Sequence, residues 1–189
     1  LDYSIQITKL FYERFIKNDD VSLFSPNNVP GLYEAFGLPE FDDMYKKYEK
    51  DKSIPRQTIG AQELFMSLLK ERAETGRIYI MNLDHCNTHS SFKDKVYMSN
   101  LCQEITLPTT PVQHIDDKEG EIALCILSAI NLGLLTDMNE LEELCDLSVR
   151  ALDEIIDYQE YPVEAAKISA QSRRSLGIGY IGLAHYLAK

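Results

Sequence analysis

The chain has 189 residues, 44% apolar and 26% charged, which suits one domain with a sizeable core and argues against a disordered chain. Its 19 basic and 30 acidic side chains leave a net charge of −11, which would repel a phosphate backbone and argues against duplex nucleic acid as a partner. No apolar run approaches the roughly 20 residues of a bilayer-spanning helix, and no secretory signal is visible, so no membrane partner is expected and the cytoplasm is the default.

From the start of the chain, Tyr3, Ile7, Leu10, Phe11 and Phe15 recur at helical spacing and predict a helix over about 2–17. Val21 to Phe24 reads as a short strand, and Ser25 to Gly31 as a turn-rich loop. Residues 32–55 are charged, aromatic and helical in part, around Phe41 to Tyr48. A firmer helix is expected from about Ile59 to Thr75, with Gly76 as its stop, followed by a strand over Arg77 to Met81. Next come a polar cluster, Asn82 to Ser91, and an extended segment over Tyr97 to Pro108; Thr109 to Gly120 is loop.

Glu121 to Ser128 is a nearly continuous apolar run, as expected of a strand covered on both faces. Thr136 or Asp137 caps a long helix to about Tyr158, and Asp137 followed by Glu140 has capping-box spacing. Its inner stripe is Leu141, Leu144, Cys145, Ser148, Leu152, Ile155 and Ile156. A further helix follows Pro162 to about residue 173, and then a Gly-rich apolar run, Leu176 to Leu183. Helices alternating with short buried strands make the class α/β. The chain opens and closes inside patterned segments, so it reads as a piece of something larger.

The chemistry concentrates in Asn100, Cys102 and Glu104. On an extended backbone their spacing of two points all three side chains to one side, with Leu101, Gln103 and Ile105 on the other. An amide, a thiol and a carboxyl group on one face are able to orient a polar substrate, do radical or nucleophilic chemistry and move a proton. A packed cysteine flanked by Asn and Glu would bury polar groups at a cost, so the face is read as a site. Without a CxxC pair, the four cysteines read as buried or reactive thiols and not as a disulfide framework. On spacing alone Cys125 is a small apolar residue in a buried strand, and Cys145 is structural.

His85 and His89 stand four apart around Cys86, but no further ligand stands at zinc-finger spacing, so hydrogen bonding in a loop is expected and no metal. Gly177, Gly179 and Gly182 match the dinucleotide pattern GxGxxG. A helix precedes them and the chain stops soon after, so close backbone packing is the better explanation.

Ser99 to Pro108 closely resembles the active-site finger of the large (α) subunit of class I ribonucleoside-diphosphate reductase, most of all its bacterial and phage branch. Arg77 to His89, Gly120 to Cys125, Arg173 to Gly179, and Leu23 to Pro26 with Val29 to Tyr33 resemble the same family, in order, from about residue 20 onward. The resemblance implies part of a ten-stranded α/β barrel of two parallel half-sheets, spanning residues 1–189, with a finger loop at about 97–108. It implies that Cys102 becomes a thiyl radical taking the ribose 3′ hydrogen, that Glu104 takes the 3′-hydroxyl proton, and that Asn100 holds the substrate. Residues Asn100, Leu101, Cys102, Gln103 and Glu104 would line that substrate. Cys125 matches one member of a redox pair whose partner lies upstream in the family.

The implied substrate is a ribonucleoside diphosphate, reduced for DNA synthesis. The implied partners are the remaining parts of the large subunit, a radical-generating small subunit, and thioredoxin or glutaredoxin as reductant. No cofactor is expected to bind this chain directly; the radical would come from the metal-containing small subunit. The alternatives are a catalytically silent remnant or binding module that retains the fold, and a small metal-binding domain built on His85, Cys86 and His89.

Overall fold

The computed structural model describes residues 3–189, which divide into two compact units, 3–108 and 109–189. Among the described residues six strands form three two-stranded sheets, with no closed barrel. The architecture is mixed α/β.

In the first unit β1 (Tyr3–Ile7) pairs in parallel with β4 (Ile78–Asn82), with Ile5 opposite Ile80. The expected helix over 2–17 is thereby corrected: the helix, α1, covers only Lys9–Lys17, and Asp2 lies outside the described residues. Tyr3, Ile5 and Ile7 alternate with Ser4 and Gln6, and β4 supplies a partner that local spacing does not reveal. Asn18 ends α1 in the left-handed region (φ 56°), a conformation Asn tolerates.

The expected strand at Val21 to Phe24 is present as β2 (Asp20–Phe24). It is antiparallel to β3 (Arg56–Gly60), whose polar residues give no strand signal. The short helix α2 (Leu32–Ala35) and α3 (Phe41–Lys50) pack Leu32, Ala35, Phe41 and Tyr45 against Leu10 and Val29 to make the unit's main core. The Tyr45 hydroxyl both donates to the Ser22 carbonyl and accepts from its N–H, each at 2.7 Å, so this core ring is tied to β2.

The helix α4 (Ala61–Thr75) ends at Gly76 with φ 68°, as expected of a C-terminal stop. Phe65 from α4 packs edge-on against Phe11, Tyr12 and Phe15 of α1. The polar cluster after β4 is a helix, α5 (Leu83–Thr88), where loop was expected; it continues directly from the strand. Its fully buried Leu83 joins Met81 and Val96 in a second core cluster.

In the second unit β5 (Ile126–Asn131) pairs in parallel with β6 (Leu176–Ile181), connected through α6 (Glu140–Tyr158) and α7 (Glu164–Arg173). The expected buried strand at Glu121 to Ser128 starts five residues late, and its residues alternate between half-buried and exposed. Only Glu121 in the earlier stretch pairs, in an isolated bridge with Thr110. The rest of that stretch is irregular chain, half-buried except at the exposed Ile122. The expected capping box forms only in part: Asp137 accepts the Asn139 N–H at 2.9 Å, but the Glu140 carboxylate takes the Thr136 hydroxyl at 2.5 Å.

Of the expected α6 stripe, Leu152 and Ile156 are buried, whereas Cys145 and Ile155 are exposed. Cys145 is therefore not a core residue of this unit, because the apolar stripe runs through Leu144 and Ser148 beside it. The glycine pattern lies inside and at the end of β6 and leads to a short helix, α8 (Leu183–Ala188). Glycines within a strand are not a phosphate-binding turn, and close packing explains Gly177 and Gly182. Among the described residues no helix is long and apolar enough to cross a membrane.

Candidate active site

The finger is rooted by side chains from β1 and α5. Asn87 donates to the carbonyls of Leu83 and Val96, both at 3.1 Å, and accepts the Val96 N–H at 2.8 Å. Val96 is wholly buried, so Asn87 satisfies main-chain groups that water does not reach. One residue on, Gln6 of β1 donates to the Tyr97 carbonyl at 2.7 Å. Two half-buried side-chain amides thus tie the point where the loop leaves the fold.

Beyond that root the backbone is not the extended segment that period-two spacing assumes. The Gln103 N–H donates to the Asn100 carbonyl at 3.1 Å, which closes a turn with Leu101 and Cys102 at its centre. Gln103 itself adopts φ 62°. Asn favours the first position of such a turn, but no glycine or proline announces it. The consequence is that Asn100, Cys102 and Glu104 do not share one face of a strand. Asn100, Leu101, Cys102 and Glu104 are instead all exposed around a loop tip, with Leu101 71% exposed.

The loop braces itself. The Asn100 side-chain oxygen accepts the Ile105 N–H at 3.0 Å, and the Ser99 hydroxyl, 3.2 Å from that oxygen, donates its one proton to the Ile105 carbonyl at 2.6 Å. With its oxygen engaged, Asn100 keeps its NH2 group to offer an acceptor on a substrate. The Cys102 thiol stands at the tip with no aliphatic wall around it, and the Glu104 carboxyl follows within two residues. Such a tip presents a sulfur, an acid and an amide donor to a polar molecule brought against it.

Gln103 turns elsewhere. Its side-chain oxygen is buried without a hydrogen-bond partner, and Gln103 lines a cavity of about 480 Å³ with Asn82, His85, Cys86, His89 and Thr106. His85 and His89 contact edge-to-face with ring centroids 5.5 Å apart, and burial, with the Asp84 charge, pushes the Cys86 thiol above its ordinary pKa. Among the described residues no three His, Cys, Asp or Glu side chains are grouped to hold a metal. A second hollow of about 330 Å³, lined by Ile5, Leu10, Val21, Phe24 and Phe41, contains none of the candidate residues.

In the second unit Cys125 lies just before β5, half-buried, with Sγ 3.9 Å from the Ile126 carbonyl. It is not in the middle of a buried strand, because the strand begins after it. Asn87 and Gln6, which tie the root of the finger, are residues whose part no spacing announced. Asn87 sits in the polar run that spacing linked to His85 and His89, and its role emerges only once Val96 is buried against α5.

A strand–helix scaffold, a rooted loop and an exposed cysteine at its tip agree with one family: the chain belongs to the ribonucleotide reductase barrel domain, whose model matches residues 1–189. Among named relatives, it is 58% identical to the ribonucleoside-diphosphate reductase subunit alpha of Haemophilus influenzae. It is 57% identical to ribonucleoside-diphosphate reductase 1 subunit alpha of Escherichia coli and 41% identical to the subunit alpha of Enterobacteria phage T4. Each match covers 100% of this chain and 26% of the relative, so the chain spans about a quarter of their length.

Proposed function

We propose that these residues form the central catalytic part of the large subunit of a ribonucleoside-diphosphate reductase, which converts ribonucleoside diphosphates to 2′-deoxyribonucleoside diphosphates in the cytoplasm. The parallel pairs β1–β4 and β5–β6 are then portions of the two half-sheets of a ten-stranded barrel. The observation that carries the reading is an exposed thiol at the tip of a loop rooted at the buried Val96, whose N–H and carbonyl are both hydrogen-bonded to Asn87, in a chain of this family.

Cys102, as a thiyl radical, takes the 3′ hydrogen; Glu104 takes the 3′-hydroxyl proton; Asn100 donates its NH2 to the substrate; Leu101 completes the lining, and Gln103, whose side chain turns into the cavity beside His85, adds only main chain to it. Hydrogen transfer between sulfur and carbon is nearly balanced, so the rate depends on placement, which a rooted loop supplies. Proton removal by Glu104 eases loss of the 2′-hydroxyl. Cys125 serves as one of two thiols that supply the reducing electrons. The radical arrives from a metal-containing small subunit, and thioredoxin or glutaredoxin restores the thiols; this chain holds no cofactor of its own.

In a completed large subunit assayed with its small subunit, Cys102→Ser is expected to abolish turnover. Glu104→Gln should lower kcat by about 10²-fold or more, within the range for losing a general base, with the fold unchanged by circular dichroism. A Glu104→Gln enzyme at the parent rate would refute the carboxylate's role.

A further inference from the structure

Gly177 stands opposite Leu127 in the β5–β6 register, and its backbone does not require glycine, since its φ is not positive. Space does. A Cβ at Gly177 would come within 2.5 Å of Leu127 Cδ2 and 3.2 Å of Cys125 Sγ. Two residues on, a Cβ at Gly179 would meet only the Ser128 carbonyl, at 4.0 Å, which is ordinary contact. The two glycines share a strand and differ in what lies over them.

Leu127 is 59% exposed, so its side chain has somewhere to go. Cys125 is half-buried, so its sulfur has less freedom. We propose that Gly177 is a positioning residue for the Cys125 thiol: the missing side chain keeps the sulfur in the rotamer from which it reacts. The inference rests on the reading of Cys125 as one of the reducing pair. In that reaction two thiols, Cys125 and a cysteine outside these residues, lose two electrons and two protons and form an S–S bond. The C2′–O bond breaks, C2′ gains a hydrogen, and the hydroxyl leaves as water.

The test uses the full-length large subunit with its small subunit, comparing Gly177→Ala, Gly179→Ala, Cys125→Ser and the double variant Gly177→Ala with Leu127→Ala. Gly177→Ala should lower kcat about tenfold with KM within about twofold, because a displacement of a few tenths of an ångström acts on the reacting geometry and not on binding. Its Cys125 should also be alkylated at a rate changed severalfold, with Cys102 in the same molecule as the unchanged internal reference. Gly179→Ala should match the parent in both.

The double variant removes the severe clash and leaves only the contact on sulfur, so it should fold and keep the loss. Parent-like kcat and Cys125 alkylation in the double variant, or in Gly177→Ala itself, overturn the proposal. Full turnover by Cys125→Ser overturns instead the reading beneath it, and the alkylation rates then still decide whether Gly177 places the sulfur.

Discussion

At the scale of single residues, the root of the finger is tied through Asn87. Its amide makes three hydrogen bonds, two of them to the main chain of a residue with no solvent exposure. Asn87→Ala would strand the Val96 N–H and carbonyl in the core, at a cost of about 1–3 kcal/mol for each group left unpaired. Water entering the cavity beside Cys86 would recover part of that. The expected result is a loss of about 2–3 kcal/mol in urea unfolding, with amide exchange accelerated at Val96. A second support is Gly37 (φ 78°), where any Cβ would meet Leu83 at 2.7 Å and Asn87 at 3.3 Å. An Asn87→Ala protein as stable as the parent would show that the finger is rooted by Gln6 and apolar packing alone.

At the scale of elements, the chain's legibility followed how local each signal was. α3, α4 and α7 are legible because their signals are local: the aromatic and charged run of Phe41 to Tyr48, the apolar spacing before Gly76, and Pro162 just ahead of α7. β1 was misread because Tyr3, Ile7 and Leu10 also satisfy a helical period, and only its distant partner Ile78–Asn82 decides between the two. The turn at Asn100 to Gln103 was illegible because a glutamine, not a glycine, takes the positive φ. The chemistry of Cys102 and Glu104 was readable as residue types, but their roles came from resemblance. For Cys125 the sequence setting pointed away from function.

The loop between Pro108 and β5 is also organised by one carboxylate. Asp117, 8% exposed, accepts N–H groups from Gln113 (2.9 Å), Glu119 (2.8 Å) and Gly120 (3.1 Å). The bonds from Gln113 and Glu119 hold its carboxyl below the ordinary 3.8, against the opposing effect of burial. A carboxyl depressed in the folded state contributes stability that is present above its unfolded value and lost as pH falls through its folded value. Protection factors of the Gln113, Glu119 and Gly120 amides should therefore hold down to about pH 4 and collapse below it. Asp117→Asn, which offers one acceptor oxygen in place of two, should lose the Gln113 bond at every pH. Equal protection of Gln113 in parent and variant would remove Asp117 from its place in this loop.

At the scale of the whole molecule, the sheets are the weak point. Each is only two strands wide, and two-stranded pairs are marginal in water unless something covers them. Parallel pairs occur almost only with both faces covered, yet Leu127 on β5 and Tyr180 and Ile181 on β6 are each more than half exposed. A net charge of −11 adds self-repulsion to the cost of keeping such a chain compact. Residues 1–189 expressed by themselves should accordingly bind a hydrophobic dye, unfold at low denaturant, and gain stability with added salt as the repulsion is screened. In the whole subunit, of which relatives are about four times as long, the amides of Ile126–Asn131 and Leu176–Ile181 should exchange at least tenfold more slowly than in the isolated span. Equal exchange in both would mean that the β5–β6 pair is finished as it stands, and that its exposed leucine and tyrosine are ordinary surface.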